Sequence, residues 1–176
     1  MATTKWVIDP AHSEIQFKIR HLMITNVTGS FQEFSSFVET EGDDFTKAKI
    51  QFTAKVDSIT TGNEQRDGHL KSPDFFETEK YPELVFNANG LSKNGENEYQ
   101  AEGDLTLHGI TKKVKLSIES GGVVQDPYGQ TKAGFSMSAK INRKDFGLNW
   151  NAATEAGGVV VSDEVRVIAE VQYVKQ

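Results

Sequence analysis

Tyr99-Gln100-Ala101-Glu102-Gly103-Asp104-Leu105-Thr106-Leu107-His108-Gly109-Ile110-Thr111-Lys112-Lys113-Val114-Lys115-Leu116-Ser117-Ile118 reads as two β-strands joined by a tight turn. Tyr99, Ala101, Gly103, Leu105 and Leu107 take every second place, with Gln100, Glu102, Asp104 and Thr106 between them. Val114, Leu116 and Ile118 repeat the pattern against Lys113, Lys115 and Ser117. A period of two puts one side chain on each face of a strand in turn, so each run has one apolar and one polar face. His108-Gly109 links the runs with too few residues for anything but an antiparallel pair.

The same alternation recurs outward in both directions, about eight times in all. Ile15, Phe17 and Ile19 begin it, and Phe31 and Phe34 follow in a less regular stretch where a bulge would shift the phase. Ile50, Phe52, Ala54 and Val56 come next, then Leu84, Phe86 and Ala88. Beyond the quoted hairpin lie Ala133, Phe135, Met137, Ala139 and Ile141, and finally Val165, Val167, Ala169, Val171 and Tyr173. Lys93-Asn94-Gly95 and Gly121-Gly122 are hairpin-type signals, and Asp126-Pro127-Tyr128-Gly129 is a turn with its proline preset. Eight strands in meander order, each with one apolar face, favour a sheet closed on itself over a two-sheet sandwich, because closure removes exposed edges. The expected fold is all-β, an eight-stranded antiparallel barrel in one domain spanning 1–176. A barrel of that size either fills with its own side chains or holds one small ligand, and periodicity does not choose between them.

Composition narrows the function classes. A hydrophobic content of 37% with 11 Phe supports a real core, and a net charge of −6 argues against non-specific nucleic-acid binding. The absence of cysteine excludes disulfides, thiolate ligands and Cys nucleophiles. The start, Met1-Ala2-Thr3-Thr4-Lys5-Trp6, lacks the apolar stretch of a secretory signal, so the expected location is cytoplasmic, or periplasmic if a leader has been removed.

One segment breaks the alternation: Arg66-Asp67-Gly68-His69-Leu70-Lys71-Ser72-Pro73-Asp74-Phe75-Phe76-Glu77-Thr78-Glu79-Lys80-Tyr81-Pro82. Connections this long usually carry function or a lid. A short helix near 63–72 is predicted, with Asn63 as its cap and Pro73 stopping it. Arg66 and His69, three apart on one turn, would point together and could hold a carboxylate, phosphate or hydroxyl head group. The alternative is that Arg66 pairs with Asp57 or Asp67 and braces the loop. Phe75 and Phe76 cannot both face one core as strand neighbours would, so one of them is expected to cap an apolar opening. A second long connection spans Asn149–Val161, with Gly157-Gly158 inside it.

Other constellations carry less. Asp9-Pro10-Ala11-His12-Ser13 holds a carboxylate, an imidazole and a hydroxyl, but consecutive residues entering a strand do not make a triad, and a turn feeding the first strand is expected. His12, His21, His69 and His108 show no metal-ligand spacing, and no phosphate-binding loop is present. No metal, no cofactor and no enzymatic activity are expected.

Trp6-x-Ile8-Asp9-x-x-His12-Ser13, Gly29-x-Phe31, Arg66-Asp67-x-His69-Leu70, Asp74-Phe75-Phe76 with Tyr81-Pro82, Gly103-Asp104-Leu105-Thr106-Leu107-His108-Gly109 and Arg143-x-Asp145-Phe146-Gly147, in this order, resemble the YceI-like family. The resemblance runs from Trp6 to Val174. It implies a lipocalin-like barrel with a long hydrophobic cavity, binding of a polyisoprenoid or other long-chain amphiphile, and frequent homodimerisation. Cavity residues are then expected at the inward positions Phe17, Ile19, Phe31, Phe52, Leu84 and Phe86, and at Leu105, Phe135 and Met137. Phe75, Phe76 and Phe146 beside the long connections are expected to join them, and Arg66, His69 and Arg143 to form a polar mouth. The rival reading is an accessory or enzyme acting on isoprenoid quinones or stress-related lipids.

Overall fold

A computed structural model describes residues 2–22, 24–151 and 160–176. In chain order the strands are β1 (Thr3–Ile8), β2 (Glu14–His21), β3 (Thr25–Phe31), β4 (Phe34–Glu41), β5 (Asp44–Lys55) and the two-residue β6 (Ile59–Thr60). One helix, α1 (Glu64–Lys71), precedes β7 (Glu83–Asn89), the short β8 (Ser92–Lys93), β9 (Glu98–Leu107), β10 (Ile110–Gln125), β11 (Thr131–Asn142) and β12 (Val161–Lys175). Gly157-Gly158 lies outside the described residues.

Neighbours around the sheet run β1-β4-β5-β7-β9-β10-β11-β12, and β12 pairs with β1 again, which closes an eight-stave antiparallel barrel. Two staves are interrupted strands. β1 and β2 form one: β12 meets β2 along Val165↔Ile19 to Glu170↔Glu14, then β1 along Tyr173↔Ile8 to Lys175↔Trp6. The Asp9-Pro10 turn therefore sits inside a stave rather than before the first strand. Its break leaves little unpaired, because Asp9 N–H donates to Gln172 O at 2.8 Å and Gln172 N–H to Ser13 Oγ at 3.0 Å. Asp9 caps the turn through Ala11 N–H, and the hydrogen bond from His12 at 2.8 Å is the main cause holding its carboxyl below the ordinary value.

β3 and β4 make the other split stave. It breaks at Gln32-Glu33, where Ser58 supplies its carbonyl to Gln32 N–H (3.2 Å) and its hydroxyl to Glu33 N–H (3.0 Å). The expected phase shift between Phe31 and Phe34 is this break. Gly121-Gly122 corrects the sequence reading. It is a bulge within β10, with Gly122 at φ +98° and the register with β11 shifting between Ser120 and Gly122, so the strand continues to Gln125. His108-Gly109 does turn tightly, both residues having positive φ (56° and 74°), as a two-residue hairpin of this hand requires.

Helix α1 forms where predicted. Asn63 Oδ1 accepts from Arg66 N–H at 2.9 Å, and Ser72 ends the helix before Pro73.

In an up-and-down barrel alternate connections share an end. Those after β2, β5, β9 and β11 emerge together, which places both long connections at one mouth. The opposite end is plugged by aromatics: Trp6 lies 5.1 Å from Phe45, Phe45 5.1 Å from Phe135, and Phe135 6.3 Å from Tyr173. The polar tips of the plug are satisfied, Trp6 Nε1–H by Thr40 Oγ1 at 3.0 Å and Tyr173 Oη by Ser36 Oγ at 2.8 Å. Burial pushes the Tyr173 phenol up to about 12 despite that bond. Trp6 is fully buried. Trp6→Ala is expected to cost about 3–5 kcal/mol in urea unfolding, the usual range for emptying a buried Trp site; a loss below about 1 kcal/mol would show that the plug does not stabilise the barrel.

Candidate functional site

Strand alternation aims one set of side chains down the barrel axis, and these do not fill it. A cavity of about 380 Å³ remains, within the range of small-molecule sites. Phe17, Ile19 and Phe31 border it from β2 and β3, Phe52 from β5, and Leu84 and Phe86 from β7. Leu105 completes the wall from β9, and Phe135 and Met137 from β11. Phe17, Ile19, Phe52 and Met137 point inward yet stay only half-buried, because they face unfilled space. The choice between a packed and a lined interior is thereby made.

Two glycines help keep the lumen wide. Gly29 pairs with Phe17 across β2–β3, and a Cβ on Gly29 would collide with the Phe17 ring. Gly103 likewise leaves room for the Phe86 ring. The tip of each ring occupies space that a side chain at the glycine would take.

Phe75 and Phe76 both border the cavity, although neighbours on a strand could not both face it. They sit in turn, not strand, after α1, and the alternation rule does not apply there. Phe76 meets Phe31 edge-on at 6.4 Å, whereas Phe75 lies 5.2 Å from Trp150. His69 stands edge-on to both Phe75 (5.1 Å) and Trp150 (5.0 Å), and its Nε2 is 2.9 Å from Asp74 Oδ2. These three rings form a rim at the mouth.

Phe146 does not join the lining. Its turn, Arg143–Phe146, packs against the β9–β10 hairpin, where the Phe146 carbonyl is 3.0 Å from His108 Nδ1. Phe146 is buried in the core, and Leu148 borders the lumen in its place.

Arg66 and His69 both border the mouth. Arg66 is exposed and bonds not to an acid but to Thr61, through Nε–H to Oγ1 (2.7 Å) and Nη2–H to the carbonyl (2.9 Å). Asp67 is occupied by the same residue, accepting from Thr61 N–H at 2.8 Å and Oγ1–H at 2.6 Å. Arg143 is different. It is 3% exposed, and its donors reach four carbonyls: Leu148 (2.6 Å), Trp150 (2.8 Å), Ser162 (2.8 Å) and Val161 (3.3 Å). Burial pulls its pKa below the ordinary value, with Asp163 at 3.9 Å opposing. Arg143 touches the cavity wall but is a clamp on the connection before β12 rather than a recognition group, because its donors are already committed.

Trp150, Arg20 and His21 also border the mouth and Phe45 and Tyr173 the floor. Tyr173 shares the inward phase of the last run and was legible there, whereas Trp150 sits in a connection with no periodic signal. Arg143→Met should cost about 3–5 kcal/mol in chemical denaturation, because buried carbonyls lose their charged donor. Arg66→Ala, at an exposed site, should cost under about 1 kcal/mol. Equal losses would show that the two arginines do not differ in this way.

The YceI-like domain family matches residues 6–173. A UPF0312 protein of Staphylococcus epidermidis is 40% identical over 171 residues, covering 97% of both chains. Among solved structures, the Campylobacter jejuni YCEI protein is 33% identical with a TM-score of 0.77, over 90% of this chain and 91% of that one. A polyisoprenoid binding domain from Saccharophagus degradans shares the fold at 18% identity and a TM-score of 0.68, over 97% of this chain and 98% of that one. With a family match across nearly the whole barrel, the chain belongs to the YceI-like family.

Proposed function

We propose that this protein binds a long-chain amphiphile, a polyisoprenoid or fatty-acid-like lipid, inside the barrel and sequesters or carries it. The observation behind this reading is an apolar lumen, plugged by aromatics at one end, whose charged lining residues gather at the other. Burying a methylene contributes about 0.8 kcal/mol, so a chain lying in such a tube binds tightly with few polar contacts. Family membership and the polyisoprenoid binding domain of the same fold support the ligand class. At the mouth, Arg66 uses Nε and Nη2 on Thr61, and in this reading Nη1 donates to an oxygen-rich head group, with His69 as a second polar group of the same rim. A homodimer is part of the proposal on family grounds, and a monomer by sedimentation at micromolar concentrations would remove it.

Mass spectrometry of an organic extract of the purified protein should find a long-chain lipid. Phe52→Asp, which sets a carboxylate in the lumen, should abolish its retention; a folded variant retaining lipid at the wild-type level would place the chain elsewhere. Arg66→Ala should weaken ligands with an anionic head by about 1.5–3 kcal/mol and leave bare hydrocarbon nearly unaffected, the scale of a hydrogen bond to a charged group. An equal loss for both would make Arg66 a brace.

A further inference from the structure

Among the described residues of the turn joining β2 to β3, Leu22 is 41% and Ile24 72% exposed, and both are apolar. Leu22 also has φ 53°, in the left-handed region. Gly42, Gly62 and Gly129 hold such angles elsewhere, and the other non-glycine residues described there, Glu77 and His108, are polar. Glycine or asparagine would relieve the backbone, and any polar residue would suit the exposure. Leucine is unfavourable on both counts, and strain of this kind collects at functional sites.

The tip is also fixed beside the cavity. Leu22 N–H donates to Val160 O at 2.8 Å, and Ile24 N–H to His21 O at 3.2 Å. His21 and Val160 both border the lumen, whereas Leu22 and Ile24 do not. The exposed apolar pair is thus continuous with the mouth without being part of the ligand site.

We propose that Leu22 and Ile24 form a membrane-docking tip that inserts shallowly into a lipid bilayer and sets the mouth against the reservoir of the chain ligand. This rests on the lipid-binding reading above. A long chain crossing water exposes every methylene, so a carrier that opens against the bilayer avoids that barrier. A second protein copy is a poor occupant, because two side chains fall far short of the roughly 800 Å² per partner of a stable interface. Charge does not drive the contact either. The chain carries −6, and both signs occur at the mouth, with His69 on Asp74 and Lys144 on Asp163. Docking is therefore by apolar insertion, weak, reversible and nearly independent of salt.

The test uses phosphatidylcholine vesicles carrying a fluorescent long-chain fatty acid, with pickup followed by stopped flow. The wild-type rate should rise with vesicle concentration and hold between low and high salt. The double variant Leu22→Asn, Ile24→Ser should slow pickup by about tenfold, the scale for two apolar side chains lost from a bilayer interface. Its affinity for the same fatty acid delivered from solution should be unchanged, and Leu22→Asn alone should melt at or above the wild-type temperature. A rate independent of vesicle concentration, a double variant as fast as wild type, or a dimer that depends on Ile24 would overturn docking while solution binding persists. No binding of the fatty acid from either source would instead overturn the lipid-binding reading, and docking with it.

Discussion

Everything in this molecule depends on how β12 closes the sheet. One long strand pairs with β11 along its length and, on its other side, with β2 and then β1. The Asp9-Pro10 break would leave that seam open if its backbone groups went unpaired. Instead Gln172 holds both sides of it, accepting from Asp9 N–H and donating to Ser13 Oγ. Closure also sets the width of the barrel, since eight staves give an interior that is either just filled or just large enough for one ligand.

Which of those outcomes holds is decided by side-chain shape. The floor is filled by large rings that meet one another, from Trp6 through Phe45 and Phe135 to Tyr173. Higher up, Phe17 lies against Gly29 and Phe86 against Gly103, so bulky residues line the wall without meeting across it. A void bordered by Phe, Leu and Ile has no partner for water to bond, which suits it to a hydrocarbon chain. The same residue types thus make a plug at one end and a tube at the other, according to what stands opposite each ring.

The arginines show the same dependence on surroundings. Arg66 and Arg143 both lie in connections that interrupt the alternation, and from sequence they look equivalent. Arg143 is enclosed by four carbonyls, those of Leu148 and Trp150 after its own turn and of Val161 and Ser162 at the start of β12, and its charge is spent on holding chain. Arg66 rests on Thr61 at the surface of the mouth. Distance along the chain does not separate these roles, because the carbonyls around Arg143 come from positions up to nineteen residues away.

The all-β class, the eight apolar runs, the His108-Gly109 turn and the Asn63-capped helix were determined by sequence alone, because each depends on a period or on a few adjacent residues. That Arg66 and His69 share one helical turn was legible for the same reason. The Gly121-Gly122 bulge was misread as a turn, since two glycines permit either and only the register with β11 selects one. Phe146 was expected in the lining, but its turn packs beside His108, distant in sequence, and its side chain is buried in the core. The open lumen, the plugged floor and the placing of an exposed, left-handed Leu22 beside the mouth were decided by tertiary structure alone. Each is a relation between residues on different staves, and a repeat of two along one strand carries no information about what stands across the barrel.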